Sequence, residues 1–201
     1  MDSVPISSVF YIIGGDAKLQ NYTNEIQNLE ADEANNPQNF AYDEELKKEY
    51  TKLKENFQDM MNDAALYRAS NNDPDLAKKL NIENGREQTL TQLVGLDTYI
   101  HDLEMDSKNN PHKAAANERK ILAAELEKRT ITQFQTAWEA YQQNGDAADR
   151  DKMNALIVEL QTLRTDNPHS PFSKNLIWED FQFECGGYTI LEFNSQKYAV
   201  V

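Results

Sequence analysis

A change of texture along the chain constrains its fold more than any motif does. From about Tyr42 to about Arg164 the sequence reads as charged, glycine-poor helix with narrow apolar stripes. At both ends, Val9–Ile13 and Trp178–Val201, it turns to aromatic and β-branched residues, the side chains that suit a pleated, half-buried surface. The contrast predicts an α+β fold, predominantly α. An antiparallel bundle of four to five helices would carry a small antiparallel sheet made by the C-terminal hairpin, which the N-terminal strand is placed to join. At 201 residues the chain suits a single domain. Its expected parts are an N-terminal strand and turn (1–15), a helical body (16–166) and a C-terminal β-hairpin or meander (176–201).

Residues 42–69 give the strongest local signal. Tyr42, Leu46, Tyr50, Leu53, Phe57, Met60, Ala64 and Tyr67 step by threes and fours, with charged and amide residues between them. Leu19, Tyr22, Ile26 and Leu29 mark an earlier helix, ended at Asn35-Asn36-Pro37. Asp73 and Pro74 restart the chain as N-cap and first helical residue. Asn84-Gly85 reads as an interruption, after which Leu90, Leu93, Leu96, Ile100 and Leu103 mark a further helix. Gly95 within it suggests a neighbour packed close. A long helix is expected over 111–143. Asn144-Gly145 is a stop, and Met153, Leu156, Ile157, Leu160 and Leu163 form the buried face of a last helix.

The tail changes period to two. Phe181, Phe183 and Cys185 share one face, Gly186-Gly187 is a two-residue turn, and Tyr188–Phe193 is the returning strand. Lys197–Val201 offers a third. Asn-Asn-Pro occurs twice, at 35–37 and 109–111. A shift of 74 sets Leu46 on Lys120 and Leu53 on Glu127, so residue types argue for recurring cap-and-proline chemistry rather than a duplicated unit.

The net charge of −14 bears on partners. An acidic surface repels phosphate backbones and anionic membrane surfaces, so nucleic acid is not an expected partner, while a basic protein is compatible. No apolar run reaches the ~18–20 residues of a membrane span, and Val9–Ile13 after Asp2 is too short for a Sec signal. These signals place the chain in the cytoplasm. A non-Sec export route would leave no such trace. Asparagine stands at 20 positions although it favours neither helix nor strand, which suggests an AT-rich genome. In this the composition resembles acidic, asparagine-rich helical proteins that intracellular bacteria inject into host cells. The likeness implies a translocated effector acting on a host protein, and it covers no motif.

No chemical constellation stands out. Gly14-Gly15-Asp16 follows a strand and precedes a helix, but it matches no phosphate-loop pattern, and Asp16 would repel a phosphate. Cys185 and His169 are the weak catalytic candidates, as a thiol and its base. Cys185 lies on a strand rather than at a helix start, where thiol pKa values fall. His101, His112 and His169 sit on separate segments without metal-ligand spacing, so neither a metal nor a cofactor is expected. The acidic clusters match no calcium loop. Trp178, Phe181 and Phe193 cannot all be buried on one strand face, and the spare face carries Leu191 and Phe193. Either the bundle and the N-terminal strand sandwich this sheet, or Trp178, Leu191 and Phe193 form a partner-binding patch.

The reading that follows is a protein-binding or adaptor module without catalysis of its own. The alternatives are a small enzyme with a site between the terminal sheet and the helix ends, and a self-assembling structural protein that pairs its 42–69 stripe between chains.

Overall fold

The computed structural model describes residues 15–70 and 73–173, together with the backbone of 189–193 and 196–200. Five helices make up the body: α1 Gly15–Asn35, α2 Phe40–Ala69, α3 Pro74–Asn109, α4 Ala114–Asn144 and α5 Ala147–Asp166. Single 3-10 turns, Pro37–Asn39 and Pro111–Lys113, lead into α2 and α4. Each helix packs chiefly on its neighbours in sequence. The neighbours run antiparallel: Arg86 of α3 meets Glu139 of α4, while Asp97, further along α3, meets Lys128, earlier in α4.

Local chemistry sets the ends. The Asp73 carboxylate accepts from the Asp75 amide, with Pro74 in the first turn, and Asp146 accepts from the Ala148 amide. Gly145 closes α4 in the left-handed region at φ 67°, which a side chain would make costly. Asn36 and Asn110 adopt nearly the same extended backbone, φ −129° ψ 71° and φ −132° ψ 76°, because each precedes a proline.

The stripes read from the sequence bury against one another. Most of them form one core, with Leu53, Phe57, Leu96, Ile131, Phe134, Trp138 and Ile157 almost wholly enclosed, and Ala64, Tyr67 and Leu80 form a second, smaller cluster. The α2 stripe, offered by the sequence to a second chain, is covered from within by α1 and α3.

Several expectations are corrected. Over residues 15–70 and 73–173 the protein is 92% helical, with five helices and no strand, so the body is all-α rather than α+β. The apolar stripes satisfy one another helix on helix, and the core closes without a sheet layer. Residues Thr189–Phe193 and Gln196–Val200 run as one antiparallel ribbon, Thr189 opposite Val200 and Phe193 opposite Gln196. Such a ribbon is not a sheet that covers a bundle. The expected strands at Val9–Ile13 and Phe181–Cys185, and the Gly186-Gly187 turn, lie outside the described residues.

The break expected at Asn84-Gly85 is absent, and α3 runs through it for 36 residues. Gly85 serves packing instead: a Cβ there would lie 2.3 Å from Trp138 Nε1, which donates to the Asn81 carbonyl at 3.3 Å. Gly95 does the same for Phe172, whose Cζ would be 2.6 Å from an added Cβ. That contact folds the segment after α5 back onto α3.

The repeat excluded on residue types is present in the structure. Residues 15–69 and 89–143, 74 apart, are two helical hairpins whose helix ends and joining turns correspond and whose second helices bury matching positions. The buried α2 residues Leu53, Asn56, Phe57, Met60, Asp63, Ala64 and Tyr67 match the buried α4 residues Glu127, Thr130, Ile131, Phe134, Ala137, Trp138 and Tyr141. Leu29-Glu30-x-Asp32-x-x-Asn35-Asn36-Pro37 matches Leu103-Glu104-x-Asp106-x-x-Asn109-Asn110-Pro111. Glu127 occupies a core position because Arg164 pairs with it at 2.7 Å and Ser170 donates to its other oxygen at 2.7 Å.

Candidate functional site

The joint between α1 and α2 opens into a groove of about 390 Å³, walled on its third side by α3. Its lining includes Glu25, Asp32, Tyr42, Asp43, Tyr50 and His101. The repeating turn builds it. The backbone amide of Asn36 donates to the Asp32 carbonyl at 2.7 Å, and Asn39 to the Asn36 carbonyl at 2.9 Å, which tightens the chain around the Asp32 side chain. The amides of Asn36 and Asn39 donate to the two Asp32 oxygens and hold that carboxyl below the usual carboxylate range.

Asp43, one turn into α2, faces the same carboxylate. It is 2% exposed, and its Oδ2 has no hydrogen-bond donor among the described residues. Burial pushes its carboxyl up, and the Asp32 charge adds to the shift. Two carboxyl groups within hydrogen-bonding reach need a proton or a cation between them. Across the groove the Tyr42 ring stacks on the His101 imidazole, centroids 3.7 Å apart and planes 9° from parallel. Burial also raises the phenols of Tyr42 and Tyr50.

A second polar region runs along buried α3. Glu87 accepts from the Tyr22 hydroxyl and from Asn56 at 3.1 Å, with the Lys18 ammonium 3.5 Å away. Arg86 pairs with Glu139 at 2.9 Å. Glu83 lies against Asp63 and is pushed up to about 9, first by burial and then by its bond to Asp63. Glu49 lies against Asp97 and is pushed up to about 8, again first by burial. These groups tie neighbouring helices together, and Glu139 also lines a pocket along α4.

The chain matches no family model, no curated protein and no solved structure. Function therefore has to be argued from the site alone.

Of the residues singled out from the sequence, His169 has a described side chain, and it is not among those lining this groove. His169 is exposed on the turn after α5. Cys185, Trp178 and Gly14 lie outside the described residues, and of Leu191 and Phe193 only the backbone is described. Gly15 begins α1 rather than ending a turn. Among the described residues, no group of three or more His, Cys, Asp or Glu could hold a metal ion, and no helix is long and apolar enough to cross a membrane. Sequence reading missed Asp32, Asp43 and His101 because each is ordinary in its own helix. The available signal was the paired Asn-Asn-Pro, read outward from the proline rather than along the stripes.

Proposed function

We propose that the chain is a protein-binding module without catalysis of its own, and that its partner is basic. The observation that supports this is the α1–α2–α3 groove, where aromatic faces from Tyr42, Tyr50 and His101 meet the carboxyls of Glu25, Asp32 and Asp43. Aromatic walls and carboxylates together favour a cationic side chain, through charge and through the ring quadrupole. The overall charge of −14 attracts the same class of partner and speeds its approach. Phe40, next in sequence to the lining Asn39, is 51% exposed and offers an apolar contact beside the charged one.

The enzyme reading has less support. Asp32 and Asp43 titrate apart as an acid–base pair would. The equivalent pair in the second hairpin, however, is Asp106 and Asn117, in which Asn117 Nδ2 donates to Asp106 Oδ2 at 3.0 Å. The arrangement is first a brace for the joint.

The test is retention of synthetic peptides on immobilised full-length protein, compared between lysine-bearing, neutral and acidic sequences at low and high salt. Selective retention of the basic peptides, lost in Tyr42→Ala, is the expected result. Retention that ignores peptide charge, or that survives Tyr42→Ala unchanged, overturns the reading.

A further inference from the structure

Among the described residues, three pairs of carboxyl groups meet across helices. Asp97, which meets Glu49, is held by the Lys128 ammonium, and Asp63, which meets Glu83, is held by the Lys79 ammonium at 2.6 Å. The third pair, Asp32 and Asp43, has no ion pair to a lysine or arginine among the described residues. Lys47, the nearby lysine of α2, is engaged with Glu33 at 2.7 Å.

The second hairpin shows what is missing. At the joint between α3 and α4, Asp106 accepts from Asn110 at 2.8 Å, from Asn117 at 3.0 Å and from the Lys113 ammonium at 3.1 Å. These donors hold its carboxyl down to about 2, the Asn117 amide being the largest influence. Counting back 74 residues, Asp32 stands for Asp106, Asn36 for Asn110, Asn39 for Lys113 and Asp43 for Asn117. Relative to the second joint, the first has therefore lost an ammonium and exchanged an amide donor for a carboxyl. Asp43, a residue 2% exposed whose Oδ2 has no donor among the described residues, is one of those lining the groove at that place.

We infer that the first joint is a seat for the ε-ammonium of a lysine side chain carried by a basic protein partner, which binds between Asp32 and Asp43 as Lys113 binds Asp106 within the chain. The inference rests on the binding-module reading and names the chemistry the groove takes. The occupant is a lysine rather than an arginine because the cations that hold Asp63, Asp97 and Asp106, namely Lys79, Lys128 and Lys113, are ammonium groups. The Tyr42–His101 stack and Tyr50 supply the wall for the aliphatic stem.

The experiment is an NMR titration of the full chain, following the ring signals of Tyr42 and His101. The probes are the peptide acetyl-Lys-Gly-Lys-Gly-Lys-amide, the same peptide with every ε-amine acetylated, and magnesium or calcium chloride alone. The free-amine peptide should shift both rings and the acetylated one should not. The double variant Asn39→Lys with Asp43→Asn copies the second joint into the first, and that joint shows the combination folds. It should bind at least about tenfold more weakly, the loss expected when a charge-assisted bond goes.

Equal affinity in the filled-seat variant overturns the inference. So does a shift of both rings by the metal salts when the peptide gives none. Peptide that binds without moving Tyr42 and His101 overturns the seat and leaves the binding module standing. A chain that binds no lysine-bearing peptide overturns both.

Discussion

Glu83→Gln should stabilise this protein at neutral pH and cost it about 1 kcal/mol in acid. Glu83 is 3% exposed on α3, and its carboxyl faces Asp63, which itself pairs with Lys79. Burial, followed by the bond to Asp63 and that residue's charge, raises Glu83 from an ordinary 4.5 to about 9. At pH 7 the folded protein therefore holds this side chain as the neutral acid, whereas the unfolded chain ionises it. A raised folded-state pKa means that the contribution is fully present below about 4.5 and is lost as pH rises toward about 9. Each pH unit in that window costs about 1.4 kcal/mol, so by pH 7 the penalty is on the order of 3 kcal/mol. Glutamine keeps the shape and donates to Asp63 without a proton to lose, but its second amide hydrogen needs a partner, a cost of about 1 kcal/mol. The net gain at pH 7 should be about 1–3 kcal/mol. Urea unfolding followed by circular dichroism, at pH 5, 7 and 8.5, measures it for the protein and the variant. A gain that grows with pH is required; a gain or loss of constant size across the three conditions refutes the reasoning.

Other substitutions probe the packing and the charge pairs. Gly85→Ala should cost about 1–3 kcal/mol in chemical unfolding despite the better helix propensity of alanine, because its Cβ would meet the Trp138 ring, whereas Gly95→Ala should cost less, since the Phe172 ring tip can yield. Arg164→Met should destabilise by about 3–5 kcal/mol by stranding Glu127 in the core, and Glu127→Leu added to it, which restores the Leu53 counterpart, should recover most of the loss; no recovery would refute the charge-pair argument. The melting temperature of the whole chain should rise as pH falls from 8.5 to 5, because Glu49, near 8, and Glu83, near 9, are both raised and regain their proton in the unfolded state only in acid. A melting temperature that falls over the same range would show that other carboxylates dominate.

What the sequence determined by itself is the helical body and most of its joints, because those signals are local. The stripe from Tyr42 to Tyr67, the Asp73 cap and the Gly145 stop depend on residues within a turn or two of one another, and each appears where it was read. The tertiary structure decided the rest. Asn84-Gly85 reads as a breaker in isolation, yet the missing Cβ is where Trp138 sits, 53 residues later, so packing overrides the local preference. The duplicated hairpin was hidden because residue types at 46 and 53 do not match those at 120 and 127. What repeats is burial, and Glu127 keeps a core position through Arg164, a partner on another helix. The groove was invisible for the same reason. Asp32, Asp43 and His101 come from three helices, and their meeting depends on how α1, α2 and α3 pack, a property that no window of sequence contains.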